Sequence, residues 1–202
     1  MRLLGIRPVT APDEFTEIVE VVVEESESEE GYVKIIVTRG SDDHNFTIPA
    51  RSALQPNVLV YGKPIDLNAI EKVQSGVNCI TLDDDRGHHC DILSLNQLNN
   101  MMARAEAQKK NCYDAVFIKD GLLTEASHSN VCIVKAGVIW TPATNEHMIR
   151  GVTRSLVLTR AAPSTGVTSI DEASEPVRFE DMMTAEEVFL TNSQDGIIPV
   201  LS

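Results

Sequence analysis

Apolar positions along the chain alternate between helical and strand periods, and that alternation predicts an α/β order of elements. After Thr10 and Pro12, the residues Phe15, Ile18, Val19 and Val22 recur at i, i+3, i+4 and i+7, the stripe of an amphipathic helix that needs a partner surface. Strand patterns follow at 32–38, 57–61 and 78–82. A second helix is predicted over 97–110, capped by Ser94 or Asn96, with Leu98, Met101, Met102 and Ala105 as its inward face. In that reading the two methionines fill core space. Residues 40–56 form a long polar connection, and 161–167, with Pro163 and Gly166, a broken loop. No repeat is evident. The pattern predicts an α/β chain of the α+β kind, built on a mixed sheet.

The centre of the chain predicts two consecutive hairpins. Runs 115–119 and 122–125 flank Asp120-Gly121, the dipeptide that supplies positive φ for a tight turn, and runs 130–134 and 138–141 are joined through Ala136-Gly137. The first hairpin leaves Glu125 at a strand end beside Ser127, His128, Ser129 and Asn130, where side chains can face a cleft. Gly151, Val152 and Thr153 then precede apolar Leu156, Val157 and Leu158, which predicts the first turn of a helix. Free backbone N–H groups there, with the Thr153 hydroxyl, suit a phosphate. Glu125 as a turn cap and Thr153 as a helix cap is the alternative reading.

Composition narrows the partners. The 202 residues are 43% apolar, enough for a sizeable core and one large domain with part of another. With 30 Asp and Glu against 17 Lys and Arg, the net charge of −13 disfavours nucleic acid and anionic membrane. Much of it lies in the acidic run 24–30, expected as a solvated helix end and loop. There is no membrane-length apolar run and no signal-peptide core near Met1, so a cytoplasmic location is the default expectation. Cys79, Cys90, Cys112 and Cys132 are widely spaced, which reads as reduced, mostly buried thiols. The run His88-His89-Cys90-Asp91 is expected to bind no metal, because neighbours on an extended segment point to opposite sides.

Taken together, the motifs resemble those of the class IV (fold type IV) pyridoxal-phosphate aminotransferases, and the D-amino-acid type in particular. The resemblance rests on Asp120-Gly121, Glu125 to Asn130, Ile149-Arg150-Gly151-Val152-Thr153-Arg154, the run 30–40 ending Thr38-Arg39-Gly40, and Arg86 to Asn96. It implies a type IV large domain over 41–202 and, over 1–40, a remnant of the small N-terminal domain with its connecting strand. It implies pyridoxal phosphate as cofactor, with Glu125 on the pyridine nitrogen and Gly151, Val152 and Thr153 on the phosphate. In Phe189-Leu190-Thr191-Asn192-Ser193 it makes Asn192 and Ser193 candidates for a second phosphate contact. The reaction implied is amino transfer between an amino acid, of D- or branched-chain type, and a 2-oxo acid, in a homodimer.

One position departs from the pattern at its most consequential residue. Where the family reads Cys-Asp-Ile-Lys-Ser-Leu-Asn, this chain has Cys90-Asp91-Ile92-Leu93-Ser94-Leu95-Asn96. The family's lysine holds the cofactor as a Schiff base and then moves the substrate's α-proton. Leucine does neither. His89 stands where D-specific members use an arginine for the substrate carboxylate, and a mostly neutral imidazole is no permanent clamp. His44, in Asp42-Asp43-His44-Asn45-Phe46, is a second candidate for that carboxylate. Lys109, Lys110 and Lys119 are expected to lie away from the site. Both flanks of a full-length member are expected to be missing, which would leave the first helix and the strand at 197–201 without neighbours and favour self-association. These departures leave three readings open: an aminotransferase with impaired activity, a non-catalytic homologue that binds a phosphate-bearing ligand or a partner subunit, and a fragment.

Overall fold

The computed structural model describes residues 4–6, 12–26, 28–41, 54–161, 168–170 and 176–202. They form two compact units, Met1–Asp66 and Leu67–Ser202. In the first, helix α1 (Pro12–Glu24) packs on an antiparallel pair, β1 (Gly31–Thr38) and β2 (Asn57–Pro64), in register from Gly31↔Pro64 to Thr38↔Asn57. This pairing carries β2 with the first unit and puts the boundary at Asp66, later than position 40. Phe15, Val19 and Val22 are half-buried, so most of the apolar stripe finds its partner within the unit, and a side chain at Gly62 would meet Val22. Ile18 stays exposed.

The second unit holds two sheets. One is three-stranded, β3-β4-β5, from β3 (Cys79–Asp83), β4 (Asp114–Lys119) and β5 (Leu122–Ala126), with β3 parallel to β4. The other is five-stranded, β10-β9-β6-β7-β8, from β6 (Asn130–Lys135), β7 (Val138–Trp140), β8 (Thr168–Ile170), β9 (Glu187–Asn192) and β10 (Gly196–Val200). All its neighbours are antiparallel except β7 and β8. Helices α2 (Leu67–Gln74), α3 (Leu98–Lys109), α4 (Val152–Leu156, extended by a π-helical turn Val157–Ala161) and α5 (Phe179–Met183) complete the unit. Its main core gathers Val116, Leu123, Val131, Ile133, Leu190 and Ile198.

Both hairpins form as the sequence predicts, with Asp120, Gly121, Ala136 and Gly137 all at positive φ, the signature of type I′ turns. They belong to different sheets. The segment 127–129 between them therefore passes from one sheet to the other, and Glu125 and Asn130 flank that crossing.

Four expectations are corrected. Helix α3 buries Ala103 and Ala107 against Ala115 and Phe117, while Leu98, Met101 and Met102 are 63%, 69% and 63% exposed. Small residues let α3 lie close on the sheet, and the long side chains fall on the far face, so the methionines are not core filler. The N-cap is Gln97, without a side-chain cap; Ser94 instead accepts a hydrogen bond from the Asn96 N–H. Strand β10 is not left unpaired: it pairs with β9 on one side, and Val77 and Cys79 bond its other side through Pro199 O, Leu201 N and Ser202 O. Ile198 is fully buried. The four cysteines are free, and of the thiols expected to be mostly buried only Cys132 is fully so; the other three are half-buried.

Candidate functional site

Glu125 lies near the end of β5, where the β4–β5 ladder slips by one residue between Val116↔Ala126 and Ile118↔Leu123. The irregularity places Thr124 and Glu125 together opposite Phe117. In a regular strand consecutive side chains point to opposite faces; a bulge turns one of them. Here both reach the same guanidinium, that of Arg86, which donates to Glu125 Oε1 at 2.5 Å and to Thr124 Oγ1 at 3.4 Å. Arg86 also grips Asp84 through Nε at 2.9 Å and Nη2 at 2.8 Å, donates to the His147 carbonyl at 2.8 Å, and lies 4.3 Å over the Phe117 ring. Thr124 Oγ1 donates to Asp84 Oδ2 at 2.8 Å, closing the cluster. The three charged side chains are nearly sealed from solvent.

The second oxygen of Glu125 accepts from the Ile149 N–H at 2.9 Å and from Asn130 Nδ2 at 3.3 Å. Asn130 also donates to Ile149 O at 2.7 Å and accepts from the Gly151 N–H at 3.1 Å. One amide thus ties Glu125 to the start of α4. A Cβ at 151 would strike Asn130 Oδ1, so any side chain there must displace that amide; the φ of −65° is ordinary. Arg154 anchors the helix from below, buried, with Nε to Thr141 Oγ1 at 3.1 Å and Nη2 to Pro142 O at 3.0 Å. Thr153 Oγ1 donates to Asn192 O at 2.9 Å, which joins α4 to the β9–β10 turn.

That turn is held from inside. Asn192 Oδ1 accepts from the Gln194 and Asp195 N–H groups at 3.0 and 2.7 Å, an Asx-type turn, while its Nδ2 lies 3.2 Å from each of Tyr113 Oη, Ser129 Oγ and Asp195 Oδ2. Tyr113 donates to Asp195 at 2.5 Å, and burial with Asp195 beside it keeps the phenol protonated. Ser127 and Ser129 bond the buried Asp114. Asn192 is consequently committed inward, and Ser193 is the exposed residue of the pair.

Burial pushes the Glu125 carboxyl above its ordinary value, outweighing the pull of Arg86. Asp84 goes the other way: burial opposes its ionisation, but the bonds from Arg86 and Thr124 hold it below the usual carboxylate range. Arg86 is correspondingly raised, its pairing with both carboxylates exceeding its own desolvation.

The remaining candidates do not join this cluster. Leu93 is 75% exposed on the segment between β3 and α3. His89 is exposed and left-handed, with φ 65°, and its carbonyl accepts from the Ile92 N–H. His44 lies outside the described residues. Lys109 pairs with Glu106 on the surface. Lys119 ends β4, and its charge acts on the Cys90 thiol, which burial raises. Arg86 and Asn130 are the structural centre, and sequence reasoning assigned neither a role. Arg86 opens the segment that ends in Leu93, so its place in a recognisable motif was the available signal.

A three-stranded and a five-stranded sheet joined through Glu125 and Asn130, with a helix start tied to both, define an α/β unit of the fold type IV kind. Comparison with known proteins agrees: the profile of the amino-transferase class IV family matches residues 1–202, and the chain belongs to that family. It is 35% identical over 181 residues to the D-alanine aminotransferase of Bacillus licheniformis, covering 90% of this chain and 62% of that protein. To the D-alanine aminotransferase of Listeria monocytogenes it is 32% identical over 189 residues, covering 93% and 64%. The chain therefore spans less than two thirds of these relatives. Among solved structures, the branched-chain aminotransferase from Thermoproteus uzoniensis with norvaline superposes with a TM-score of 0.85 at 22% identity, over 100% of this chain and 67% of that one. An aminotransferase from Brucella abortus bound to the cofactor PLP gives 0.80 at 20%, over 99% and 70%. These two likenesses establish the fold.

Proposed function

We propose that the chain carries the pyridoxal-phosphate-binding half of a D-amino-acid-type class IV aminotransferase, with its transamination impaired at position 93. The observation that carries the binding half is Asn130, which bonds both the buried Glu125 carboxylate and the Gly151 N–H at the helix start. A carboxylate offers about four lone-pair positions. Among the described residues three donors use Glu125, which leaves one position for the N–H of a protonated pyridine. At the other end, the first turn of α4 and exposed Ser193 suit a phosphate. The residues present fit these two ends of the cofactor and do not fit its aldehyde, because Leu93 brings no amine.

When bound, pyridoxal phosphate supplies an electron sink for the charge left as an amino acid loses its α-proton. In this reading Glu125 holds the ring nitrogen, Val152 and Thr153 at the helix start hold the phosphate, and His89 and His44 are the substrate-carboxylate candidates. No group at position 93 carries the α-proton. That absence favours a second reading, a non-catalytic homologue that binds a phosphate-bearing ligand. Self-association into a homodimer belongs to the first reading. Its support is the exposed run Leu93, Leu95, Leu98, Met101 and Met102, within a stretch, 92–102, that contains no charged residue. A cytoplasmic location is part of the same reading; among the described residues no helix is long and apolar enough to cross a membrane.

The test is titration with pyridoxal phosphate, followed by borohydride reduction and mass spectrometry. The expected result is reversible binding without a stoichiometric pyridoxyl adduct. Leu93→Lys should then give an adduct on Lys at 93 and raise amino transfer. A stoichiometric adduct on Lys119 or any other native lysine would overturn the impaired-site reading, and no binding by either protein would remove the cofactor assignment.

A further inference from the structure

Arg86 is over-committed for a residue that only fills space. It pairs with two carboxylates from different segments, donates to a backbone carbonyl from a third, and stacks on Phe117 of a fourth. Its fork is fully specified by this geometry: Nε and Nη2 take the two oxygens of Asp84, and Nη1 is left for Glu125. Lysine could not reproduce that, having one ammonium in place of a planar fork. The neighbours on the opposite side of Glu125, Ile149 N–H and Asn130 Nδ2, are neutral. The titratable groups that act on Glu125 are Arg86 and Asp84, and Cys90 also lies within range of its charge. Among the described residues, only Arg86 supplies positive charge in direct contact.

We propose that Arg86 is the positioning residue of this site: anchored by Asp84, it clamps one oxygen of Glu125 and so fixes the direction in which the carboxylate accepts a hydrogen bond from a ligand N–H. The proposal rests on the binding reading above for the identity of that ligand, and on the observed bonds for the clamp itself. Asp84 and Thr124 act through Arg86, Asp84 by holding the fork and Thr124 by bridging Asp84 to the bulge. The phosphate end of the site, at α4 and the β9–β10 turn, has no bond to Arg86 among the described residues.

Two measurements test it. The first reads Glu125 without any ligand: in protein labelled with 13C at glutamate side chains, its carboxyl resonance, assigned with Glu125→Gln, is followed against pH. Arg86→Lys should move the Glu125 midpoint upward by at least half a pH unit, since the short clamp is lost while a positive charge remains nearby. An unchanged midpoint in a folded Arg86→Lys protein overturns the proposal. The second compares pyridoxal phosphate with inorganic phosphate as probes. Arg86→Lys should weaken pyridoxal phosphate at least tenfold and leave inorganic phosphate within twofold; equal weakening of both probes would make Arg86 a structural residue and overturn the positioning role. If the wild-type protein binds neither probe, the ligand reading fails and the Glu125 titration still decides the clamp. Should Arg86→Lys not fold, Asp84→Asn keeps the Arg86–Glu125 pair but loosens the hold on the fork, and because the Asp84 charge itself raises Glu125 its effect is read on the probes alone: pyridoxal phosphate should weaken more than inorganic phosphate, and equal weakening or no change would overturn the proposal.

Discussion

Glu125 and Leu93, the two positions on which the chemical reading turns, sit in opposite surroundings. Glu125 is 4% exposed, and each of its oxygens is held by named donors from other segments. Leu93 is 75% exposed, on a segment whose neighbouring bonds are short-range turns such as Ser94 N–H to Ile92 O. On the proposed reading, the contrast is that of a site changed at its exposed reactive position and unchanged in its buried frame. A buried charge left without its partner costs several kcal/mol, so Glu125, Arg86 and Asp84 stand or fall together. A side chain in water can be exchanged at almost no cost to the fold.

The sharpest way to break this comparison is Arg86→Met, which leaves Asp84 and Glu125 buried together without a counter-charge. Loss of about 3–5 kcal/mol of stability is expected by denaturant unfolding. A loss below about 1 kcal/mol, the usual value for an exposed pair, would mean that water reaches the cluster. The next effect is Gly151→Ala. The added methyl displaces Asn130, whose amide then loses bonds to Glu125 and Gly151, for about 1–3 kcal/mol. If thermal and chemical unfolding match wild type, Asn130 does not connect the two ends of the site. The smallest is Leu93→Lys, which should change stability by no more than about 0.5 kcal/mol in the same assay. A larger loss would reveal packing that Leu93 does not show here, and the two surroundings would be less different than they look.

The local chemistry of the chain was readable without coordinates. The two type I′ hairpins follow from Asp120-Gly121 and from the glycine of Ala136-Gly137, because positive φ is a local preference of Gly and, more weakly, of Asp; Ala136 has no such preference and takes positive φ under the pairing of β6 with β7. The start of α4 after Gly151 and the strand periods at β1, β2 and β3 are equally local. The motif order around Glu125 and the missing amine at 93 were legible for the same reason, since each depends only on which residue stands at which position.

Tertiary structure decided what local pattern leaves degenerate. In α3 the alternatives were two apolar faces, Leu98 with Met101 and Met102, or Ala103 with Ala107; close approach to Ala115 and Phe117 selected the small one. The edge of β10 was closed by Val77, more than a hundred residues away, and no periodicity announces such a pairing. Strand β8 and helix α5 are too short to leave a period in the sequence. The Arg86 cluster depends on a one-residue slip in the β4–β5 ladder, which turns Thr124 and Glu125 toward one guanidinium. Sequence by itself determined the residues available for chemistry and the turns that order them. Which of those side chains meet in the interior was decided by packing, because burial and long-range pairing are properties of the folded chain as a whole.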